Sequence, residues 1–379
     1  MQLHSKQLGI YIHIPFCLQK CNYCDFYSIP YEQDLVDEYI EAVIAHMEES
    51  AHLVPTYTVD TVYIGGGTPS ILPLPILATL LKAVKKHFSL TKTAEITLEV
   101  NPASGLDKKH FTKLRRMGIN RLSIGIQSAN NEQLKGLGRA HTFEEARKTV
   151  DEAKNAKLTN ISVDIMYGLP SQSLEELNET MRAILLLRPT HISAYGLTIE
   201  ENTYFGRHQE SLVLPDDETQ LAMYKYLIER LEDRGFMQYE ISNFAKDSLY
   251  SRHNMRYWLG GEYLGFGAAA HSFINQVRFS YPADAKSYIY AVKNKESLVQ
   301  ESERVSDRDR FAEYIMLRMR LKDGVDESEF FRKFNKSFDP YAERLQKYIP
   351  KYVIKKDGSY MLTTEGFFIS NSILSDILE

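Results

Sequence analysis

The sequence predicts an α/β protein, with a partial (β/α)6 barrel followed by a small C-terminal domain of helical, winged-helix-like character. Three observations predict it. Short β-branched runs alternate with amphipathic stretches of helical period over the first 200 residues. That alternation stops after Thr198. From about Glu301, helical stretches lead into two short strand-like runs around Asp357-Gly358, a strong hairpin signal.

The elements follow in order. Leu8–Phe16 reads as a strand and Asp34–Glu49 as a helix. Thr61–Ile64 is a strand ending in glycines, followed by a helix at Leu74–His87. Strand Glu95–Val100 precedes a helix at Asp107–Met117. Strand Arg121–Gln127 precedes helices at Glu132–Leu137 and Phe143–Ala156. Strand Ile161–Met166 leads to helix Leu174–Leu187, and His191–Leu197 is the sixth strand. Strands separated by helices imply parallel units with right-handed crossovers. A flat doubly wound sheet is the alternative arrangement. Beyond Thr198, Pro215–Arg234 reads as a helix and Tyr239–Phe244 as a strand. Near the C-terminus, Asp307–Arg320 and Asp326–Phe334 read as helices, the hairpin joins Tyr352–Lys356 to Tyr360–Thr363, and Thr364–Leu378 is expected to be helical. The chain therefore divides into a core (1–200), an extension (201–300) and a C-terminal domain (301–379).

Composition removes several functional classes. Hydrophobic residues at 44% and charged residues at 25% are ordinary for a globular chain, so disorder and fibrous repeats are excluded. With 45 Lys+Arg against 50 Asp+Glu, the slight acidity argues against a large nucleic-acid footprint, which would need clustered Lys/Arg. No run of about 18 apolar residues appears, so no membrane span is expected. His13 interrupts the apolar run Ile10–Phe16, no signal-peptide core follows, and a cytoplasmic setting is expected.

The strongest chemical signal is Cys17-Leu-Gln-Lys-Cys21-Asn-Tyr-Cys24, which holds all three cysteines of the chain. Three thiolates on one short loop can converge on a metal centre. A [4Fe–4S] cluster normally takes four thiolates, so three leave one iron open. Lys20 and loop N–H groups are expected to lower the thiol pKa values. Competing readings are a zinc site completed by His13, although zinc prefers four ligands in separated pairs, and three incidental cysteines.

The segment Tyr11-Ile-His13-Ile-Pro15-Phe16-Cys17 through Cys24-Asp25-Phe26 resembles the radical S-adenosylmethionine (SAM) superfamily. Within it, the segment is similar to the oxygen-independent coproporphyrinogen III oxidases and the HemW-type haem chaperones. The resemblance implies a [4Fe–4S] cluster on Cys17, Cys21 and Cys24, with SAM on the open iron. Further polar groups then gain a role. Gly65-Gly66-Gly67-Thr68 ends the second strand, and no G-K-[ST] of a nucleotide loop follows. Glu99, Gln127, Arg139 and Asp164 lie at or near later strand ends, where sites form in a β/α barrel. Each has a bland reading alone: an ion pair for Glu99 with Arg139, a helix cap for Gln127, backbone satisfaction for Asp164. By resemblance, Gly66, Gly67, Thr68, Glu99, Gln127, Arg139 and Asp164 line the SAM pocket, and Tyr11 and Tyr23 flank it.

Two features bear on the branch. The oxidases usually carry a fourth cysteine two residues after the third, and here that position is Phe26. This puts coproporphyrinogen dehydrogenase activity in doubt. His253-Asn254-Met255-Arg256-Tyr257-Trp258 resembles a haem-associated signature of the chaperone branch. A neutral His can ligate haem iron, and Trp258 and Tyr257 offer flat faces. A hydrogen-bonded core histidine is the structural alternative. His271 and His13 are weaker ligand candidates. The expected function is a haem chaperone binding cluster, SAM and haem; the alternative is an oxygen-independent coproporphyrinogen III oxidase. Implied partners are haem, an acceptor protein, an electron donor for the cluster and, as a candidate, a second copy of the chain. The C-terminal domain has mixed charge and no basic stripe, so a structural, lid or docking role is expected rather than DNA binding.

Overall fold

The structure is a computed structural model that describes residues 6–379. Its centre is six parallel strands: β1 (Gln7–Ile14), β2 (Thr58–Gly66), β3 (Leu90–Val100), β4 (Arg121–Gln127), β5 (Ile161–Tyr167) and β6 (His191–Gly196). Later strands are β7 (Met237–Gln238), β8 (Asn243–Ala245), β9 (Tyr263–Phe266), β10 (His271–Ile274), β11 (Val277–Ser280) and β12 (Glu301–Arg304). All twelve join one sheet in the order β12-β11-β10-β9-β1-β2-β3-β4-β5-β6-β8-β7. The six central strands stand side by side in sequence order. A doubly wound sheet would reverse direction at its first strand; this one does not, and the expected open-barrel winding holds.

Several helices begin and end where their cap chemistry dictates. Thr142 and Ser173 each form a capping box, with Glu145 and Glu176 respectively. The Lys108–Met117 helix stops at Gly118, which adopts φ 112.

Alternation along the strands makes the site. Ile10, Ile12, Val62, Ile64, Leu98, Leu122, Ile124, Val163 and Ile192 point to one face and are buried in the main core. Residues one position away point inward, and on β3 to β6 these include Glu99, Arg121, Ser123, Gln127, Asp164, Ser193 and Tyr195. Barrel interiors are usually filled with branched apolar side chains. This interior is polar instead, and it holds a cavity.

Three departures from the sequence reading have physical causes. The Tyr239–Phe244 alternation is a hairpin rather than one strand, closed by the Tyr239 N–H donating to Asn243 O at 3.2 Å. The C-terminal helix breaks at Ile369 into Thr364–Phe368 and Ser370–Leu378, and both pieces bury apolar residues in the same core. β9 also adds to the outside of β1 in parallel, which its short, glycine-containing sequence did not announce. The C-terminal hairpin matches expectation: Asp357 and Gly358 both take positive φ, at 51° and 81°. That domain docks on the barrel through backbone bonds from Ile241 N to Arg320 O and from Lys322 N to Tyr239 O. Among the described residues, no helix is long and apolar enough to cross a membrane.

Candidate functional site

The cavity occupies about 1480 Å³, mouth included, at the C-terminal ends of the central strands. Cys17, Cys21 and Cys24 edge it, on a loop shaped by contacts that need no metal. Asn22 N donates to Leu137 O and Asn22 Nδ2 to Gly136 O, both at 2.9 Å. Gln19 Nε2 donates to Gly138 O at 3.2 Å, and Phe205 N to Asn22 O at 2.9 Å. The Cys17 Sγ lies 3.4 Å from Thr68 Oγ1, and Cys21 Sγ accepts from Arg139 Nη1 at 3.5 Å.

Burial pushes the Cys17 and Cys24 thiols up, outweighing the pull of Arg139 on Cys17 and of Lys20 on Cys24. The expectation of lowered thiol pKa values is corrected for these two: desolvation of the anion is the larger effect here. A metal must therefore displace protons on binding. Among the described residues, no three His, Cys, Asp or Glu side chains close around a single ion. His13 cannot complete a zinc site as it stands, because its nitrogens meet the Tyr11 hydroxyl at 3.0 Å and Tyr27 O at 2.9 Å. Three thiols edging a wide cavity suit a polynuclear cluster with one corner left to a ligand inside that cavity.

The glycine turn forms the adjacent wall. Gly66 takes φ 113, and a Cβ there would sit 2.6 Å from the His13 ring. A Cβ on Gly67 would strike the Pro15 backbone at 2.8 Å. Both glycines let the turn pack directly under the cysteine loop. Glu99 accepts from the Tyr63 hydroxyl at 2.8 Å and from Gly66 N at 3.1 Å. It is partly buried in the cavity wall, and desolvation raises its pKa to about 7. Asp164 accepts from Ser123 at 3.0 Å and Ser162 at 3.1 Å, and burial raises it too. Arg139 does not pair with Glu99; its Nη2 donates to Gly125 O at 2.6 Å, which ties the cysteine loop to the end of β4. Gln127 sits beside it with φ 72, a left-handed conformation that a non-glycine residue rarely adopts.

The structure thus gathers Cys17, Cys21, Cys24, Tyr23, Gly66, Gly67, Thr68, Glu99, Gln127, Arg139 and Asp164 around one cavity. Two expected residues stand outside its lining. Tyr11 lies one layer below, its ring 6.2 Å from Tyr63. His253 lies on the Arg252–Trp258 helix, which packs at the N-terminal end of the barrel against Thr61 of β2 and Glu95 of β3. Its ring is 1% exposed, with Nδ1 2.9 Å from Thr61 Oγ1 and Nε2 2.8 Å from the Tyr257 hydroxyl. Glu95 accepts from the backbone N–H groups of both Arg252 and His253 at 3.1 Å, pinning the helix start. Neither ring nitrogen is offered to an outside metal in this arrangement. His271 is exposed on β10, away from the cavity lining.

Sequence reasoning missed Arg121, Ser123, Ser193, Tyr195 and Asn254, all of which line the cavity. Arg121 is 1% exposed, with Nε and Nη1 unpartnered among the described residues. Counting in twos back from Gln127 finds Arg121 and Ser123.

Comparison with known proteins identifies the family and the fold. Residues 11–184 match the Radical SAM superfamily, and residues 305–369 match the HemN C-terminal domain. Among curated proteins, the chain is 35% identical to the haem chaperone HemW of Escherichia coli over 97% of both chains. It is 34% identical to HemW of Buchnera aphidicola over 98% of both, and 31% identical to HemW of Bacillus subtilis over 97% of this chain and 98% of that one. Among solved structures, coproporphyrinogen III oxidase (HemN) from Escherichia coli superposes with a TM-score of 0.86, covering 98% of this chain and 90% of that one. At 23% identity that likeness shows the fold alone. A polar barrel rimmed by three thiols, together with whole-chain identity above 30%, places this chain in the HemW family of radical SAM proteins.

Proposed function

We propose that this chain is a haem chaperone, holding a [4Fe–4S] cluster and SAM in its barrel and passing haem to an acceptor protein. The observation that carries the reading is the similarity to HemW haem chaperones at 31–35% identity along nearly the whole chain. Cys17, Cys21 and Cys24 would hold the cluster, and the donor set fits it: three thiols and an adjoining cavity. When bound, the cluster supplies a reducing electron to the sulfonium centre of SAM. The chain's own residues bind and orient. The Gly66-Gly67-Thr68 turn gives close backbone approach, Glu99 and Asp164 accept hydrogen bonds from an ammonium or ribose hydroxyls, and Gln127 and Tyr23 complete the walls. Arg139 spans from the cysteine loop to β4 and fixes one wall against the other. Tyr11 supports the wall from behind.

His253 would serve haem by anchoring the helix that carries Trp258. Direct ligation through Nε2 would require the ring to leave its place at the end of the barrel and Tyr257 to surrender its bond. The reading also calls for an electron donor, a cytoplasmic setting and a check for dimers by sedimentation. Phe26 stands 70% exposed where the oxidases carry their fourth cysteine.

Anaerobic reconstitution followed by two assays on one sample tests the proposal. Haem should bind, and coproporphyrinogen III with SAM and reductant should remain unchanged. Formation of the vinyl product would replace the chaperone reading with the oxidase.

Proton release gives a second check. With Glu99 near pKa 7, an incoming ammonium or hydroxyl donor favours its carboxylate form. SAM binding should release roughly half a proton at pH 7, read by calorimetry in buffers of different ionisation heat. Equal proton release in wild type and Glu99→Gln would remove Glu99 from the role. Without ligand the sign is fixed too: the folded state binds the extra proton between pH 4.5 and 7, so this group's contribution to stability is lost as pH rises through that window.

A further inference from the structure

Away from the barrel cavity, a second pocket opens between the Arg252–Trp258 helix and the C-terminal domain, with about 700 Å³ of space including its mouth. Trp258 and Phe273 line one side; Tyr314, Phe334, Arg310 and Lys333 line the other. Trp258 is the chain's only tryptophan, and neighbouring Leu259, also in the lining, is 45% exposed. The helix bearing them is fixed by the buried His253 and by Glu95, so the Trp258 face is presented from a rigid element.

Charge in the pocket is uneven in a telling way. Both acidic residues of its lining are already engaged. Glu313 takes two bonds from Arg278, at 2.9 and 3.0 Å, and Glu262 accepts from the Tyr57 hydroxyl at 2.8 Å and from Asn275 N at 2.6 Å. The cations are held less firmly. Lys333 Nζ rests 4.7 Å over the Tyr314 ring, and the Arg310 guanidinium lies 5.8 Å over Phe334. Arg310 has an ion pair with Asp307, but that carboxylate is on an 81% exposed side chain, where such pairs contribute little. What remains is aromatic surface on two walls and two cations on one of them.

A ligand matching this has a broad apolar plane and carboxylates along one edge. We infer that this interdomain pocket receives a flat macrocycle bearing two carboxylates, that is, a tetrapyrrole such as haem, with Arg310 and Lys333 meeting its propionates. The inference rests on the haem-chaperone reading and gives the C-terminal domain a part in it: that domain supplies one wall and both cations. The iron need not be ligated for the edge contacts to form, so an iron-free ring is a fair probe.

The test is a titration of the full chain with mesoporphyrin IX and with its dimethyl ester, followed by porphyrin absorbance and emission. The paired change Arg310→Glu and Lys333→Glu should weaken mesoporphyrin binding about tenfold or more, one good charge pair's worth, and leave the ester unchanged. Trp258→Leu should weaken acid and ester alike. If the charge-reversed protein does not fold, Arg310→Gln with Lys333→Gln should give the same selectivity at smaller size. Unchanged mesoporphyrin affinity, or equal loss for acid and ester in the charge variants, overturns the pocket while haem binding elsewhere stands. Wild-type protein that binds neither haemin nor mesoporphyrin overturns the chaperone reading itself.

Discussion

Changing any one of Cys17, Cys21 or Cys24 to Ala is expected to abolish iron and sulfide retention and the cluster's charge-transfer absorbance. The chain has no fourth cysteine to substitute, and His13 is engaged by Tyr11 and Tyr27. Two thiolates cannot replace three on a cluster that already lacks one protein ligand. The folded state should survive the change, because all three side chains are only partly buried and the loop is held by Asn22, Gln19 and Phe205. Thermal melting of the metal-free variants should stay within about 1 kcal/mol of the metal-free parent. Absorbance retained in any one of the three variants would contradict the ligand set.

His253→Ala is expected to cost stability as well as haem affinity. The substitution leaves Thr61 and Tyr257 without their partner and removes a ring stacked 5.3 Å from Tyr63. Together these should cost about 3 kcal/mol, read by denaturant unfolding. His253→Gln should recover part of it. The pH dependence separates this role from a purely steric one. Burial lowers His253 to about 3, from an ordinary value of 6.5. Between those limits the unfolded chain binds more protons than the folded one, so stability falls on acidification. At pH 5 this residue's share of the loss is about 2 kcal/mol. The gap between wild type and His253→Gln should therefore narrow from pH 7 to pH 5; a constant gap would mean that the ring is not held neutral. His46, lowered to about 3, and His191 act in the same direction and are common to both proteins.

Much of the site was legible because its chemistry is local in sequence. Cys17, Cys21 and Cys24 share one loop, and Gly66, Gly67 and Thr68 share one turn. Glu99, Gln127 and Asp164 mark strand ends that hydrophobic runs locate well. Arg121, Ser123, Ser193 and Tyr195 were legible in principle, since two-residue alternation from recognised neighbours points each of them inward. They were passed over because polar residues inside strands look incidental unless the barrel interior is known to be hollow. The local sequence allowed a hydrogen-bonded core histidine at His253, and Tyr257 is one turn away, but its second partner was not legible. That partner, Thr61, lies 192 positions away, and nothing in the local sequence reveals that the helix packs at the N-terminal end of a barrel begun at residue 7. The same holds for the second pocket, whose two walls come from segments about 50 residues apart and meet only through tertiary packing.

The hydrogen bonds that shape the cysteine loop have a consequence for the protein's working life. Asn22 and Gln19 lean on carbonyl groups of residues 136–138, and Phe205 braces the loop from its other side. These bonds involve protein groups alone, so the mould is expected to keep its form without the cluster. A polypeptide that lost its inorganic core would on this account keep a receptacle that fresh iron and sulfide should refill, to be mended in place instead of being made anew.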